Sequence, residues 1–114
     1  MTARIRRSAQ FRAFAGGTRH RRGPLTMATT PSLEPGVARV GYAIGRGVGS
    51  AVARNRLRRR LRHAVSELTP RLDADSAYLI SATRRATALT YREIVDLLGE
   101  LVAVAGRASV TEPA

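Results

Sequence analysis

Six arginines fall within nine residues, Arg54-Asn55-Arg56-Leu57-Arg58-Arg59-Arg60-Leu61-Arg62, and any fold the chain adopts has to accommodate them. The periodicity around this run predicts a long helix from about Ala51 to Leu68, ended by Thr69-Pro70. At roughly 100° per residue, Leu57, Leu61, Ala64, Val65 and Leu68 gather into one apolar stripe, while Asn55, Arg58, Arg59, Arg62 and Ser66 occupy much of the remaining surface. One side of the helix packs and the other meets an anion. Like charges at i,i+4, such as Arg54/Arg58 and Arg58/Arg62, repel by about 0.2–0.5 kcal/mol per pair, and no acid within the run offsets them. A solvated charged face is the ordinary fate of surface arginine, but a run this dense and uncompensated favours phosphate.

The charge of the whole chain points the same way. Twenty basic residues, all arginine, against eight acidic ones give a formal net charge of +12, so the expected partner is a polyanion. Up to Arg62 the sole acid is Glu34; the other seven follow, so the basic surface belongs to the first part of the chain. Arginine offers planar, bidentate phosphate contacts that lysine cannot. The absence of Cys excludes a disulfide framework, a thiolate zinc site and a thiol nucleophile. Met1 to Arg22 lacks the apolar run of a signal peptide, and no later stretch approaches the roughly 20 apolar residues that span a bilayer, so a cytoplasmic location is expected.

A length of 114 residues suits one domain, read here as residues 1–107, with residues 108–114 as a disordered tail. Ser8 is placed to cap a short first helix with Phe11, Phe14 and Ala15 at helical spacing, closed by Gly16-Gly17. After the basic stretch Arg19 to Arg22, Gly23-Pro24 punctuates the chain. Leu25, Met27 and Thr29 then alternate as in a half-buried strand up to Pro31. Val37 to Ile44 is a second strand, and the short connection predicts an antiparallel hairpin with the first. Ala77 to Ser81 reads as a third strand. Thr90-Tyr91-Arg92-Glu93 fits a capping box opening a last helix through Ile94, Leu97, Leu98, Leu101 and Val104. The sum is an α+β sandwich, a small sheet with helices on it.

Gly45-Arg46-Gly47-Val48-Gly49-Ser50 precedes a helix N-terminus, where free amides favour anions. It lacks the Gly-Lys-Ser/Thr of a nucleotide loop and the third glycine of the dinucleotide fingerprint, so a sharp turn touching a backbone phosphate is the better reading. Phe11 and Phe14 suit either a core or the stacking of unpaired bases, in a cleft shared with Met27 and Tyr42. His20 and His63 sit in arginine-rich stretches without an orienting acid, and are read as phosphate contacts or solvated surface. No acid/base pair can be picked out, so no catalytic residue is assigned.

Gly45 to Arg62 closely resembles the signature of the bacterial ribonuclease P protein component, roughly Lys-Lys/Arg-x-Gly-Asn-Ala-Val-x-Arg-Asn-Arg-x-Lys-Arg-x-x-Arg. Arg46, Gly49, Ala51, Val52, Arg54, Asn55, Arg56, Arg58, Arg59 and Arg62 fall in place. Phe11, Arg39-Val40-Gly41 and Leu89-Thr90-Tyr91 resemble the family's first helix, central strand and last helix. The resemblance implies an αβ-sandwich with a left-handed strand-helix-strand crossover, against the usual hand. It implies a subunit that helps a catalytic RNA remove the 5′ leader from precursor tRNA by phosphodiester hydrolysis, as part of an endoribonuclease whose catalytic centre lies in the RNA. Arg46, Arg54, Arg56, Arg59 and Arg60 would dock on that RNA, and Asn55, Arg58 and Arg62 would lie nearer the substrate or bound metal ions. Phe11, Phe14 or Ala15, Met27 and Tyr42 would hold the single-stranded leader. Mg²⁺ would be held mainly by the RNA and substrate, with no protein metal site assigned. Three positions depart from the pattern: Gly47 replaces a second basic residue, Ser50 replaces Asn, and the second aromatic stands at Phe14 with Ala15 in its usual slot. The competing readings are a ribosomal protein, a groove-reading DNA-binding helix and a stand-alone nuclease. The first offers no reason for an aromatic cleft, the second needs a free helix and usually a partner copy, and the third lacks an acid/base pair.

Overall fold

The apolar stripe of the arginine helix needs a surface to cover, and a five-stranded sheet supplies it. The structure is a computed structural model describing residues 2–5 and 8–110, with side chains up to residue 106. In chain order the elements are β1 (Thr2–Arg4), α1 (Ser8–Ala13), β2 (Thr18–Arg22), β3 (Leu25–Pro31), β4 (Ala38–Ala43), α2 (Ala51–Leu68), β5 (Ser76–Ala82) and α3 (Tyr91–Val110). Short 3-10 turns follow α1 (Phe14–Gly16), precede α2 (Arg46–Val48), follow it (Thr69–Arg71) and lead towards α3 (Arg84–Ala88).

The sheet order is β1-β4-β5-β3-β2. β1 and β5 flank β4 in parallel, while β3 runs antiparallel to both β5 and β2. The hairpin expected between the strands at 25–31 and 37–44 is therefore not formed, because β5 lies between them. Composition explains why. Ala77-Tyr78-Leu79-Ile80 is an almost unbroken apolar run, the mark of a strand covered on both faces, and such a strand belongs at the centre. The connection from Pro31 to Ala38 passes around the start of β5, held by Ser32 N–H donating to Asp75 O (2.8 Å) and Gly36 N–H to Ala74 O (3.2 Å). Two strands are absent from the sequence reading. β1 is too short to show a pattern, and β2, Thr-Arg-His-Arg-Arg, has no apolar alternation because it is an edge strand. Gly23-Pro24, read only as punctuation, is the two-residue turn of the β2–β3 hairpin.

β4, α2 and β5 form a crossover between neighbouring parallel strands, the connection to which the resemblance assigns its unusual hand. α2 and α3 share one face of the sheet. There Leu57, Leu61, Ala64, Val65 and Leu68 join Leu25, Met27, Val40, Tyr78, Ile80, Ile94, Leu98 and Leu101 in one buried cluster. The other face carries α1 over a smaller cluster of Ile5, Phe14, Ala28 and Ala77.

The helix limits agree well with the sequence. α2 spans the expected residues, and α3 opens with a formed capping box: Glu93 N–H donates to Thr90 Oγ1 (3.1 Å) and Thr90 N–H to Glu93 Oε1 (2.8 Å). α3 runs to Val110, past the residue where the sequence ends the domain. The rest of the expected tail, residues 111–114, lies outside the described residues.

Leu61 is fully buried between α2, the sheet and α3. Leu61→Ala is expected to destabilise the protein by about 2–5 kcal/mol in urea unfolding, with no change in the basic surface.

Candidate nucleic-acid interface

The turn before α2 sets the direction in which the arginines leave the sheet. Val48 is buried and anchors it, leaving Arg46 and Gly47 exposed. Gly49 has φ 157° and ψ −165°, a conformation essentially confined to glycine. Ser50 then caps the helix, its hydroxyl accepting from Ala53 N–H at 3.2 Å. Ser50 departs from the Asn of the signature, yet Ser and Asn are comparable caps, so the helix start is preserved.

With the stripe buried, the arginines divide between two flanks and a crest. Arg58 lies on the flank facing β4: Nη2 donates to Ile44 O (3.1 Å) and Nη1 to Asn55 Oδ1 (2.9 Å). One turn on, the Arg62 guanidinium stands 5.7 Å from the centre of the Tyr42 ring, within cation–π range. The opposite flank carries Arg56 and Arg60, beside Thr87, and Arg60 Nη1 donates to Leu89 O (2.9 Å), tying α2 to the approach to α3. Arg59 occupies the exposed crest, and Arg54 lies half-buried at the stripe's edge with its Nε unpaired among the described residues. The ion pairs among the described residues are Arg22–Glu100 (3.6 Å) and Arg39–Glu34 (3.9 Å), so no carboxylate neutralises the run.

Between the β4 flank of α2 and the start of the chain lies a cleft of about 410 Å³, lined by Thr2, Ala3, Arg4, Ile5, Phe11, Val40, Gly41, Tyr42, Arg58 and Arg62. β1 pairs with Ala38–Val40, and among the described residues nothing pairs with this edge of β4 from Gly41 to Ala43. Gly41 makes room here. A Cβ on it would stand 3.0 Å from Ile5 Cδ1, 3.3 Å from Leu79 Cδ1 and 3.6 Å from Phe11 Cε1, so the missing side chain lets the Phe11 ring approach the strand. Phe11 remains 47% exposed, an aromatic face offered to solvent.

The cleft is smaller in membership than the sequence suggests. Phe11 and Tyr42 line it; Phe14, Ala15 and Met27 do not. Phe14 is 1% exposed in the core beneath α1, because the chain tightens into a 3-10 turn at Phe14–Gly16 and swings that ring away from the Phe11 direction. Met27 points through β3 to the opposite face, under α2 and α3. Ala15 is exposed but outside the cleft. Thr2, Ala3 and Arg4 were invisible to sequence reasoning, having no motif of their own. His63 is exposed as expected, but His20 is not solvated surface: it is half-buried on β2, with Nε2 buried and unpaired among the described residues.

Burial pushes the Tyr42 phenol up to about 12, with the Arg62 charge opposing the shift. Tyr78 is raised too, chiefly by burial, and Tyr91 through its hydrogen bond to Glu67. No carboxylate lines the cleft, and among the described residues no group of three or more His, Asp or Glu is assembled. This donor set does not fit a divalent cation held by protein alone.

A basic helix flanking an aromatic cleft on an α+β sandwich marks the nucleic-acid-binding class of protein. The profile of the family described as Ribonuclease P matches residues 1–106. Two relatives named ribonuclease P protein component come from Bartonella quintana, 45% identical over 69% of this chain and 65% of the relative, and Salinispora tropica, 36% identical over 82% and 84%. The solved RNase P protein of Staphylococcus aureus superposes with a TM-score of 0.79 over 90% of this chain and 94% of that one, at 23% identity. The chain belongs to the bacterial ribonuclease P protein component family, whose members serve with an RNA subunit in removing the 5′ leader from precursor tRNA.

The two phenylalanines should separate cleanly. Phe14→Ala is expected to lower stability by about 3–5 kcal/mol, whereas Phe11→Ala leaves urea unfolding nearly unchanged. Because the folded-state value of Tyr42 lies above its ordinary 10, its contribution to stability is complete below about pH 10 and is lost as pH rises towards 12. A near-ultraviolet absorbance titration should show this tyrosine ionising near pH 12, and later still in Arg62→Ala.

Proposed function

We propose that the chain is the protein subunit of ribonuclease P, and that it divides its basic surface between two RNAs. The precursor tRNA leader lies in the cleft, its bases against Phe11 and Tyr42 and its phosphates against Arg58 and Arg62. The catalytic RNA docks on the turn and the remaining arginines of the run, chiefly Arg46, Arg56, Arg59 and the partly buried Arg60. Arg54 supports that flank from the stripe's edge, and Asn55 orients Arg58. The observation that carries this reading is the cleft itself: one exposed aromatic ring, a stretch of β4 edge beyond its pairing with β1 and three arginines, Arg4, Arg58 and Arg62, meet in it, beside a helix whose arginine run has no ion pair among the described residues.

The contribution is positional and electrostatic. Two of Arg58's donors are committed to Ile44 O and Asn55 Oδ1, which fixes the guanidinium and leaves its other donors for a phosphate. Mg²⁺, which supplies a nucleophilic water for phosphodiester hydrolysis, is assigned to the RNA and substrate, because the cleft has no carboxylate to hold it.

The test is 5′ maturation of a precursor tRNA at low Mg²⁺ by a bacterial ribonuclease P RNA, with and without the protein, beside a protein-only control. Cleavage should be stimulated only when both are present. Phe11→Ala should weaken precursor binding by about 1–3 kcal/mol, the range for loss of one stacked base. Arg59→Ala should instead weaken binding to the catalytic RNA. Tight general RNA binding without stimulation of a cognate RNA would overturn the reading.

A further inference from the structure

Arg39 is turned inward. Register pairs it with Ala77, in the cluster beneath α1, while its neighbours Ala38 and Val40 belong to the cluster beneath α2 and α3. Its side chain is 18% exposed. Among the described residues its Nε is buried without a partner, and its one ion pair is with Glu34 Oε2, 3.9 Å from Nη2. Glu34 is also the sole acid up to Arg62. A guanidinium drawn this far out of water and paired this loosely stabilises a fold no better than an apolar side chain of similar size. Its burial calls for a further reason.

The remaining contact of Arg39 gives that reason. Nη1 donates to Arg4 O at 3.1 Å, and among the described residues no other side chain hydrogen-bonds to β1. β1 needs such a tie: it is an edge strand of three residues with β4 as its single neighbour, and Thr2, Ala3 and Arg4 form a wall of the cleft. The helix that carries Phe11 is tied in a similar way. Gln10, 4% exposed, donates through Nε2 to Pro31 O (3.3 Å) and accepts at Oε1 from Leu33 N–H (2.7 Å). Arg39 thus joins β1 to Glu34, and Gln10 joins α1 to Pro31 and Leu33. Both ties end on the connection between β3 and β4, which Ser32 and Gly36 fasten in turn to the residues just ahead of β5.

We propose that Arg39 is a positioning residue for the cleavage reaction: its guanidinium holds β1 against β4 and so fixes the cleft wall formed by Thr2, Ala3 and Arg4. The inference rests on the precursor occupying the cleft, and it gives an arginine that touches no RNA the task of keeping the cleft formed. A wall ordered before the precursor arrives reduces the entropy lost on binding. Loss of the tie therefore shows in precursor affinity. The arginine helix packs on the other face of the sheet and keeps its hold on the catalytic RNA.

The chain has no Cys, so Ile5→Cys places a single thiol just after β1, at a position 5% exposed, where it reacts when β1 opens. In that background Arg39→Met, which keeps an unbranched stem and removes the guanidinium, should speed thiol labelling about tenfold, as for loss of one charge-assisted hydrogen bond. Arg39→Lys, able to reach one partner but not both, should restore part of the protection. In the holoenzyme reconstituted with a bacterial ribonuclease P RNA, Arg39→Met should raise KM for precursor tRNA roughly tenfold with kcat and affinity for the catalytic RNA unchanged, and Arg39→Lys should recover part of that loss. The urea unfolding midpoint should barely move, because an apolar stem replaces a loosely paired charge. Unchanged labelling in Arg39→Met overturns the tie, and faster labelling with an unchanged KM overturns its part in the reaction. A lowered unfolding midpoint with both RNAs bound more weakly marks Arg39 as structural alone and also overturns the proposal. In each of these cases a raised KM in Phe11→Ala leaves the cleft reading standing. A KM indifferent to Phe11→Ala and Arg39→Met alike overturns both.

Discussion

Burial of Leu57, Leu61, Ala64, Val65 and Leu68 fixes the rotation of α2 about its axis, and with it the direction of every arginine in the run. The magnitudes show which effect wins. Each fully buried leucine contributes about 1.5–3 kcal/mol, several times the few tenths of a kcal/mol by which an i,i+4 arginine pair repels. The helix is therefore set by packing, and its charge is carried unneutralised to the surface. Because the stripe is held by β4 and β5 on one side and α3 on the other, the guanidiniums separate into a flank beside β4 and a flank beside the residues leading to α3. A single helix thus presents two basic flanks, and the division follows from which side chains are apolar.

The cleft depends on a different economy, that of missing atoms. Gly41 removes a side chain under Phe11, and the brevity of β1 leaves part of β4 without a neighbour. Tyr42 and Arg62 then close one wall, a ring beneath a cation, with the phenol kept neutral by its surroundings. The site holds its aromatic surface ready without paying for it in exposed core, since Phe14 and Met27, the other large side chains nearby in sequence, are both buried.

Much of this was legible in the sequence where one element carries its own signal. The limits of α2 follow from its stripe and from Thr69-Pro70, and the start of α3 from Thr90 and Glu93, whose side chains bond the backbone within four residues. The charged flank of α2 was readable for the same reason. Pairing between strands was not, because the position of β5 is decided by burial on both its faces, and the short link between β3 and β4 suggested a simpler hairpin. Phe14 was placed with Phe11 by helical spacing, which fails where α1 tightens into a 3-10 turn. β1 and β2 escaped notice because neither alternates apolar with polar, and each is recognisable only from the neighbour it joins.

β1 has a practical consequence for anyone handling the protein. Thr2, Ala3 and Arg4 complete the sheet beside β4 and at the same time form a wall of the cleft. A purification tag or fluorophore attached ahead of Thr2 would emerge at the rim of the RNA site. A basic or histidine-rich tag there would add to the positive charge beside the cleft, and a bulky dye would crowd the exposed Phe11 ring. α3 packs on the opposite face of the sheet from α1, so its far end is the better place for a label. The two ends of the chain are not equivalent as handles.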